Sequence, residues 1–256
     1  MSQEQPWQER VQEVALAIID GVRSALDAQN VTMEEYRTGV GYLMKTAQAG
    51  ELGLLCDVFF NITVVNNQNK LQEGTRSDLE GPYYLPDSPF VDGEIKTMEE
   101  FEGEPMVIQG QVTNTEGEPL VGAVLDIWQS TPNGKYSGYH DNIPQEYYRG
   151  KVRTDADGSY SVKSTTPVPY EIPNQGPTGT LLKAMGSHTW RPAHIHLKAS
   201  ADGHHNVTMQ AYFEGGDYND NDCCSGKCNE GQNIIPRKYE DGARIMDIDL
   251  VLAKAA

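Results

Sequence analysis

The chain has 256 residues, 38% of them hydrophobic, with a mean hydropathy of -0.55, which suits a globular protein with a substantial core. Its 37 acidic residues outnumber 20 Lys and Arg, for a formal charge of -17; nucleic acid and anionic membrane surfaces are repelled by such a chain and are excluded as partners. Glu, Gln and Arg interrupt the first twenty residues and no stretch is apolar enough to span a bilayer, so no membrane insertion and a cytoplasmic location are expected.

Residues 8–27 repeat apolar side chains at helical spacing, with Val11, Val14, Ile18, Val22 and Leu26 on one stripe. Thr32-Met33-Glu34-Glu35 has the form of a capping box and opens a second helix that ends before Gly50. Leu52 to Asn66 is apolar nearly all round, which predicts a third helix buried between other elements or at a subunit contact, with Asp57 as its exception. Leu79 to Pro86 is a Pro/Gly-punctuated linker. The texture divides the chain into a helical region and linker over 1–85 and a β region over 86–256.

Strands are predicted at Met106–Thr113, Ala123–Trp128, Lys151–Thr154, Ser159–Lys163, His196–Ser200, Asn206–Phe213 and Arg244–Leu252. Asp155-Ala156-Asp157-Gly158 reads as a hairpin turn. The fold class is therefore α+β: N-terminal helices, then a mainly antiparallel β-sandwich. Thr165 to Trp190 is a long Pro/Gly-rich stretch without a period, the kind of loop that carries function.

Candidate chemistry gathers in three segments. In Arg191-Pro192-Ala193-His194-Ile195-His196, strand alternation sends both imidazoles to one face, which makes half of a metal site. Pro167-Val168-Pro169-Tyr170-Glu171-Ile172-Pro173 presents a tyrosine on a backbone stiffened by three prolines. A second tyrosine, Tyr136, follows Gly134 just past a strand. The cysteines Cys56, Cys223, Cys224 and Cys228 lack the paired spacing of a zinc site and read as reduced structural thiols.

Four motifs in order, D-I-W-Q-S-T-P-N-G-K-Y, Y-R-G-K-V-R-T-D-A-D-G-S-Y, P-V-P-Y-E-I-P with G-P-T-G, and W-R-P-A-H-I-H, give a sequence that resembles the intradiol ring-cleaving catechol dioxygenases. Length, Leu54-Leu55-Cys56-Asp57-Val58-Phe59-Phe60 and Phe213-Glu214-Gly215-Gly216 followed by Asp222-Cys223-Cys224 make it most similar to the chlorocatechol 1,2-dioxygenases. The resemblance implies one Fe(III) per subunit, bound by Tyr136, Tyr170, His194 and His196. Two phenolates and a hydroxide balance a +3 charge, and only a strong Lewis acid keeps phenols of pKa about 10 ionised at neutral pH. It further implies that a catechol displaces Tyr170 and the hydroxide, which take up its two protons, and that O2 opens the ring to a cis,cis-muconate.

Arg191 matches the family's arginine that stabilises charge on the ring, and Gln210 a glutamine beside the substrate. By motif position Leu54, Asp57, Leu79, Gly81, Pro82, Tyr83 and Cys224 line the substrate pocket. Family members are usually homodimers joined through the N-terminal helices, often with a phospholipid between subunits, and the helical stripe is compatible with that. Two alternatives stand beside this reading. One is the same chemistry on catechol or hydroxyquinol; the other is a non-catalytic transthyretin-like sandwich, which the β half alone permits.

Overall fold

The computed structural model describes residues 4–224 and 233–255, so Cys228 lies outside the described residues. The chain forms two compact units, Met1–Gly50 and Glu51–Ala256. The change of sequence texture near residue 85 lies inside the second of these units.

In the first unit, α1 (Glu4–Ala28) and α2 (Met33–Gln48) confirm the helical periodicity. The capping box forms as spelled: the Thr32 N–H donates to Glu35 Oε2 at 2.8 Å, and the Glu35 N–H donates to Thr32 Oγ1 at 3.3 Å. The apolar stripes are exposed, with Val11, Val14, Ile18 and Val22 on α1 and Val40, Leu43 and Met44 on α2.

The third predicted helix is interrupted. It runs as α3 (Leu52–Cys56), a π-helical turn (Asp57–Asn61) and α4 (Ile62–Asn69). Within the chain it buries only Leu55, Val58 and Val65, while Leu52, Phe60 and Val64 face outward. The extra residue of the π turn rotates successive side chains, and such turns concentrate at functional sites.

The second unit is a two-sheet sandwich. Its elements in chain order are β1 (Pro105–Asn114), β2 (Val124–Gln129), β3 (Arg149–Arg153), β4 (Ser159–Thr165), β5 (Tyr170–Glu171), α5 (Pro177–Ala184), β6 (Trp190–Arg191), β7 (His194–Ser200), β8 (Val207–Phe213), β9 (Ile234–Ile235), β10 (Tyr239–Glu240), β11 (Ala243–Asp247) and β12 (Leu250–Leu252). One sheet has the order β10-β11-β1-β12 with β4 on the other edge of β1; the second has the order β3-β2-β7-β8-β9.

The sheets are mixed. β1 pairs in parallel with β11 and then β12, and β8 in parallel with β9, whereas the remaining pairs are antiparallel. The predicted hairpin at Asp155–Gly158 is a turn, with the Gly158 N–H donating to the Asp155 carbonyl at 3.0 Å. It is not a hairpin, because β3 pairs with β2 and β4 with β1, so the turn crosses from one sheet to the other.

Inner faces of both sheets make the core: Ile108, Val112, Val162 and Leu250 meet Leu125, Ile127, Ile195, Leu197 and Ala211. Each such aliphatic side chain contributes about 1.5–3 kcal/mol on burial. Alternation then dictates the other face. With Leu125, Ile195 and Leu197 inward, Trp128, His194, His196, Gln210 and Tyr212 stand on the outer face of the second sheet.

Candidate metal centre and substrate cavity

That outer face is covered by a second, aromatic cluster of Val58, Tyr83, Trp128, Tyr136, Tyr170, Ile172 and Leu182. The long loop of 165–190 is less irregular than its sequence suggests. It carries α5, and its two ends pair as β5 and β6, placing Tyr170 opposite Arg191. The Glu51 carboxylate caps α5 by accepting from the Thr178 N–H at 2.8 Å. Gly134 brings in Tyr136: its φ is +77°, and a Cβ there would lie 3.2 Å from the Tyr170 Cβ. The two tyrosine rings meet edge-on, with centroids 5.3 Å apart.

The four predicted metal ligands converge. His194 Nε2 and His196 Nε2 are 3.1 Å apart, and the Tyr170 and His194 ring centroids are 5.6 Å apart. The Tyr136 phenol is fully buried and its Oη has no hydrogen-bond partner among the described residues. Burial, then the Arg191 charge, pushes His194 down to about 3. Burial and the His194 ring likewise hold His196 well below the usual range. Both imidazoles are therefore neutral, as ligands must be. Burial raises the Tyr136 and Tyr170 phenols above their ordinary value, so holding them as phenolates requires a strong cation at this point. An orphaned buried phenol beside two neutral, converging Nε2 atoms fits a hard trivalent ion.

The two imidazoles are oriented by different means. His194 Nδ1 donates to the Pro192 carbonyl at 2.8 Å, the usual arrangement for a ligating histidine. His196 Nδ1 has no hydrogen-bond partner among the described residues, and the ring instead stacks on Trp128 at 4.5 Å and 7°. Trp128 and His196 are register partners across β2 and β7.

Arg191 is buried and tied on three sides. Its Nη2 lies 2.7 Å from Asp222 Oδ2 and 2.8 Å from Gln210 Oε1, and its Nε 3.1 Å from Asp222 Oδ1. Burial alone would raise the Asp222 carboxyl, but the Arg191 charge and hydrogen bonds outweigh it and lower it. Tyr212 Oη donates to Gln210 Oε1 at 2.7 Å, and the Gln210 amide donates to the Leu79 carbonyl.

One cavity adjoins this network. All seven residues named from motif position, Leu54, Asp57, Leu79, Gly81, Pro82, Tyr83 and Cys224, line it, together with Tyr170 and Arg191. Gly81, at φ +72°, faces His196: a Cβ there would lie 3.6 Å from its Cε1. Asn61 Nδ2 donates to Asp57 Oδ1 at 3.0 Å across the π turn. Tyr83 stacks on Tyr136 at 4.2 Å.

Sequence reasoning did not single out the cavity residues Val58, Asn61, Ile172 and Pro173, nor the supports Trp128, Asp222, Tyr212 and Arg149. Trp128 and Tyr212 carry a readable signal, since each sits on the same strand parity as the histidines. Arg149 carries none. It is buried and donates from Nη2 to the Ser137 carbonyl and from Nη1 to the Tyr83 carbonyl, at 2.8 and 3.2 Å, joining the segments that hold Tyr136 and Tyr83.

Comparison with known proteins identifies the family. Residues 8–76 match the family model described as catechol dioxygenase N terminus, and residues 79–246 the one described as dioxygenase. A chlorocatechol 1,2-dioxygenase of Pseudomonas sp. (strain P51) is 51% identical over 96% of this chain and 98% of its own. A 6-chlorohydroxyquinol 1,2-dioxygenase of Cupriavidus pinatubonensis (strain JMP 134 / LMG 1197) is 29% identical over 95% and 90%. The crystal structure of chlorocatechol 1,2-dioxygenase from Pseudomonas putida superposes with a TM-score of 0.92 at 48% identity, covering 96% of this chain and 99% of that one. With two family models spanning both parts of the sequence, the chain belongs to the intradiol ring-cleaving catechol dioxygenases.

Proposed function

We propose that the protein cleaves chlorocatechols between their two hydroxyl-bearing carbons with O2, giving chloro-cis,cis-muconates. The observation that carries the reading is the convergence of two neutral imidazole Nε2 atoms with the buried Tyr136 phenol beside the cavity that Tyr170 and Arg191 line. Preference for chlorinated rings is supported by the relatives, since identity falls from 51% for the chlorocatechol enzyme to 32% for a catechol 1,2-dioxygenase of Acinetobacter lwoffii. The family match leaves no support for a non-catalytic binding module.

Tyr136, Tyr170, His194 and His196 would hold one ferric ion. Bound there, iron supplies the Lewis acidity that ionises a catechol and draws electron density from its ring. The chain does the rest. Tyr170 lines the cavity and, held as a phenolate, would accept a catechol proton. Arg191 faces the same cavity, and Asp222 and Gln210 fix its guanidinium where negative charge develops on the ring. Leu54, Val58, Ile172 and Pro173 exclude water, and Gly81 and Cys224 leave a small, polarisable wall for chlorine. A pocket of this kind separates substrates differing by one small group by only about 1–3 kcal/mol, so catechol is a poorer substrate rather than a rejected one.

The test is kcat/KM for chlorocatechols, catechol and hydroxyquinol on iron-loaded protein. Chlorocatechols should lead; catechol far ahead of every chlorocatechol overturns the assignment. The loaded protein should be red-brown from tyrosinate-to-iron charge transfer, and Tyr170→Phe should reduce kcat to near background.

The exposed apolar stripes of α1 and α2 support a homodimer formed through these helices. Light scattering on the eluting protein should give twice the chain mass, and a monomer would refute this seam.

A further inference from the structure

Cys223 plays no part in the reaction derived above and Cys224 serves there only as cavity wall, yet the geometry of the pair is specific. Their Sγ atoms lie 3.6 Å apart, and both thiols are free and half-buried. Two sulfur–metal bonds of about 2.3 Å at a near-tetrahedral angle place the sulfurs about 3.7 Å apart. The pair is therefore spaced to bind one bent, thiophilic centre without backbone movement. The neighbouring carboxylate does not complete a cation site. Asp222 Oδ1 accepts from the Arg191 Nε and the Cys224 N–H, and Oδ2 from the Arg191 Nη2, so its oxygens are committed. A centre that needs only two protein sulfurs and brings its own third substituent fits better than a cation needing four ligands.

We propose that Cys223 and Cys224 form a dithiol that captures a trivalent organoarsenical and thereby closes the substrate cavity. The second half of the proposal rests on that cavity being the catechol pocket. In the capture, two As–S bonds form and two As–O bonds break. Each thiol proton leaves with a hydroxide as water, and arsenic remains trivalent. Because Cys224 shares the cavity wall with Arg191, Leu54 and Gly81, the bound group occupies the space a catechol ring needs.

The probe is phenylarsine oxide on iron-loaded enzyme, read by intact mass and by turnover. We expect one arsenical per chain, turnover lost in proportion to adduct, reversal by 2,3-dimercaptopropanol and none by 2-mercaptoethanol. Cys223→Ser and Cys224→Ser should each lose the monothiol-resistant adduct, their fold being checked by the iron charge-transfer band. Cys56→Ser and Cys228→Ser should keep it. An adduct that survives in both the Cys223 and Cys224 variants, or that requires Cys228, overturns the proposed pair.

Binding of 4-nitrocatechol, followed by its visible spectrum, separates the two halves. If unlabelled enzyme binds it and labelled enzyme still does so, cavity closure is wrong. If unlabelled enzyme shows no binding, the pocket reading itself fails while the mass data still judge the dithiol.

Discussion

Trp128 does for His196 what a carbonyl does for His194. Among the described residues nothing pairs with His196 Nδ1, so the indole face at 4.5 Å, with the His194 ring edge-on at 4.8 Å, fixes the ring plane. Trp128→Ala should cost about 3–5 kcal/mol of stability and also lower the iron retained per chain, with Trp128→Phe intermediate in both. Equal iron content in all three proteins would show that stacking does not orient the ligand. The buried histidines also set an acid limit on the metal-free protein. With His194 pushed down to about 3 and an unfolded histidine near 6.5, only the unfolded chain takes up protons between those values. This contribution is full above pH 6.5 and is lost as pH falls toward 3. The urea midpoint of metal-free protein should drop between pH 7.5 and pH 5, and the drop should shrink in the H194Q/H196Q double variant. An equal drop in both proteins would contradict neutral burial.

At the scale of elements, the sequence was legible where a period was long and regular. The sandwich strands emerged from β-branched and aromatic content in β2 and from alternation in β7, and the same parity placed His194 and His196 together. The tyrosines became ligands only through the resemblance, since the prolines around Tyr170 and the Gly134 turn before Tyr136 mark rigid segments without specifying a metal. Illegible were features fixed by tertiary contact: the β5–β6 pair is two residues long on each side, and the π turn has an ordinary helical composition. Parallel pairing of β1 with β11 and β12 was missed for a similar reason, because strand direction leaves no trace in alternation. Gly134 tests the junction of the two tyrosine segments. Gly134→Ala puts a Cβ at φ +77° and 3.2 Å from Tyr170, a strain of roughly 1–2 kcal/mol. It should lower the melting temperature and shift the charge-transfer band; a lower melting temperature with an unmoved band would place the strain outside the metal centre.

For the molecule as a whole, a charge of -17 means that the folded chain works against its own repulsion. Added salt should therefore raise the melting temperature until screening saturates, as calorimetry from low to moderate ionic strength would show. The two halves of the sandwich also differ in how they are assembled. The sheet bearing the histidines is built on β2, β7 and β8, whose residues lie between 124 and 213. The other sheet hangs on β1, which waits for β11 and β12 to fill one edge; Gln109 bonds Asp247 across 138 positions of sequence. During synthesis, β1 can pair with β4 but presents its second edge bare until residues 243–252 have left the ribosome. A nascent chain therefore holds an open, aggregation-prone strand next to a full set of ligand side chains, and metal capture must wait on, or compete with, closure of the opposite sheet.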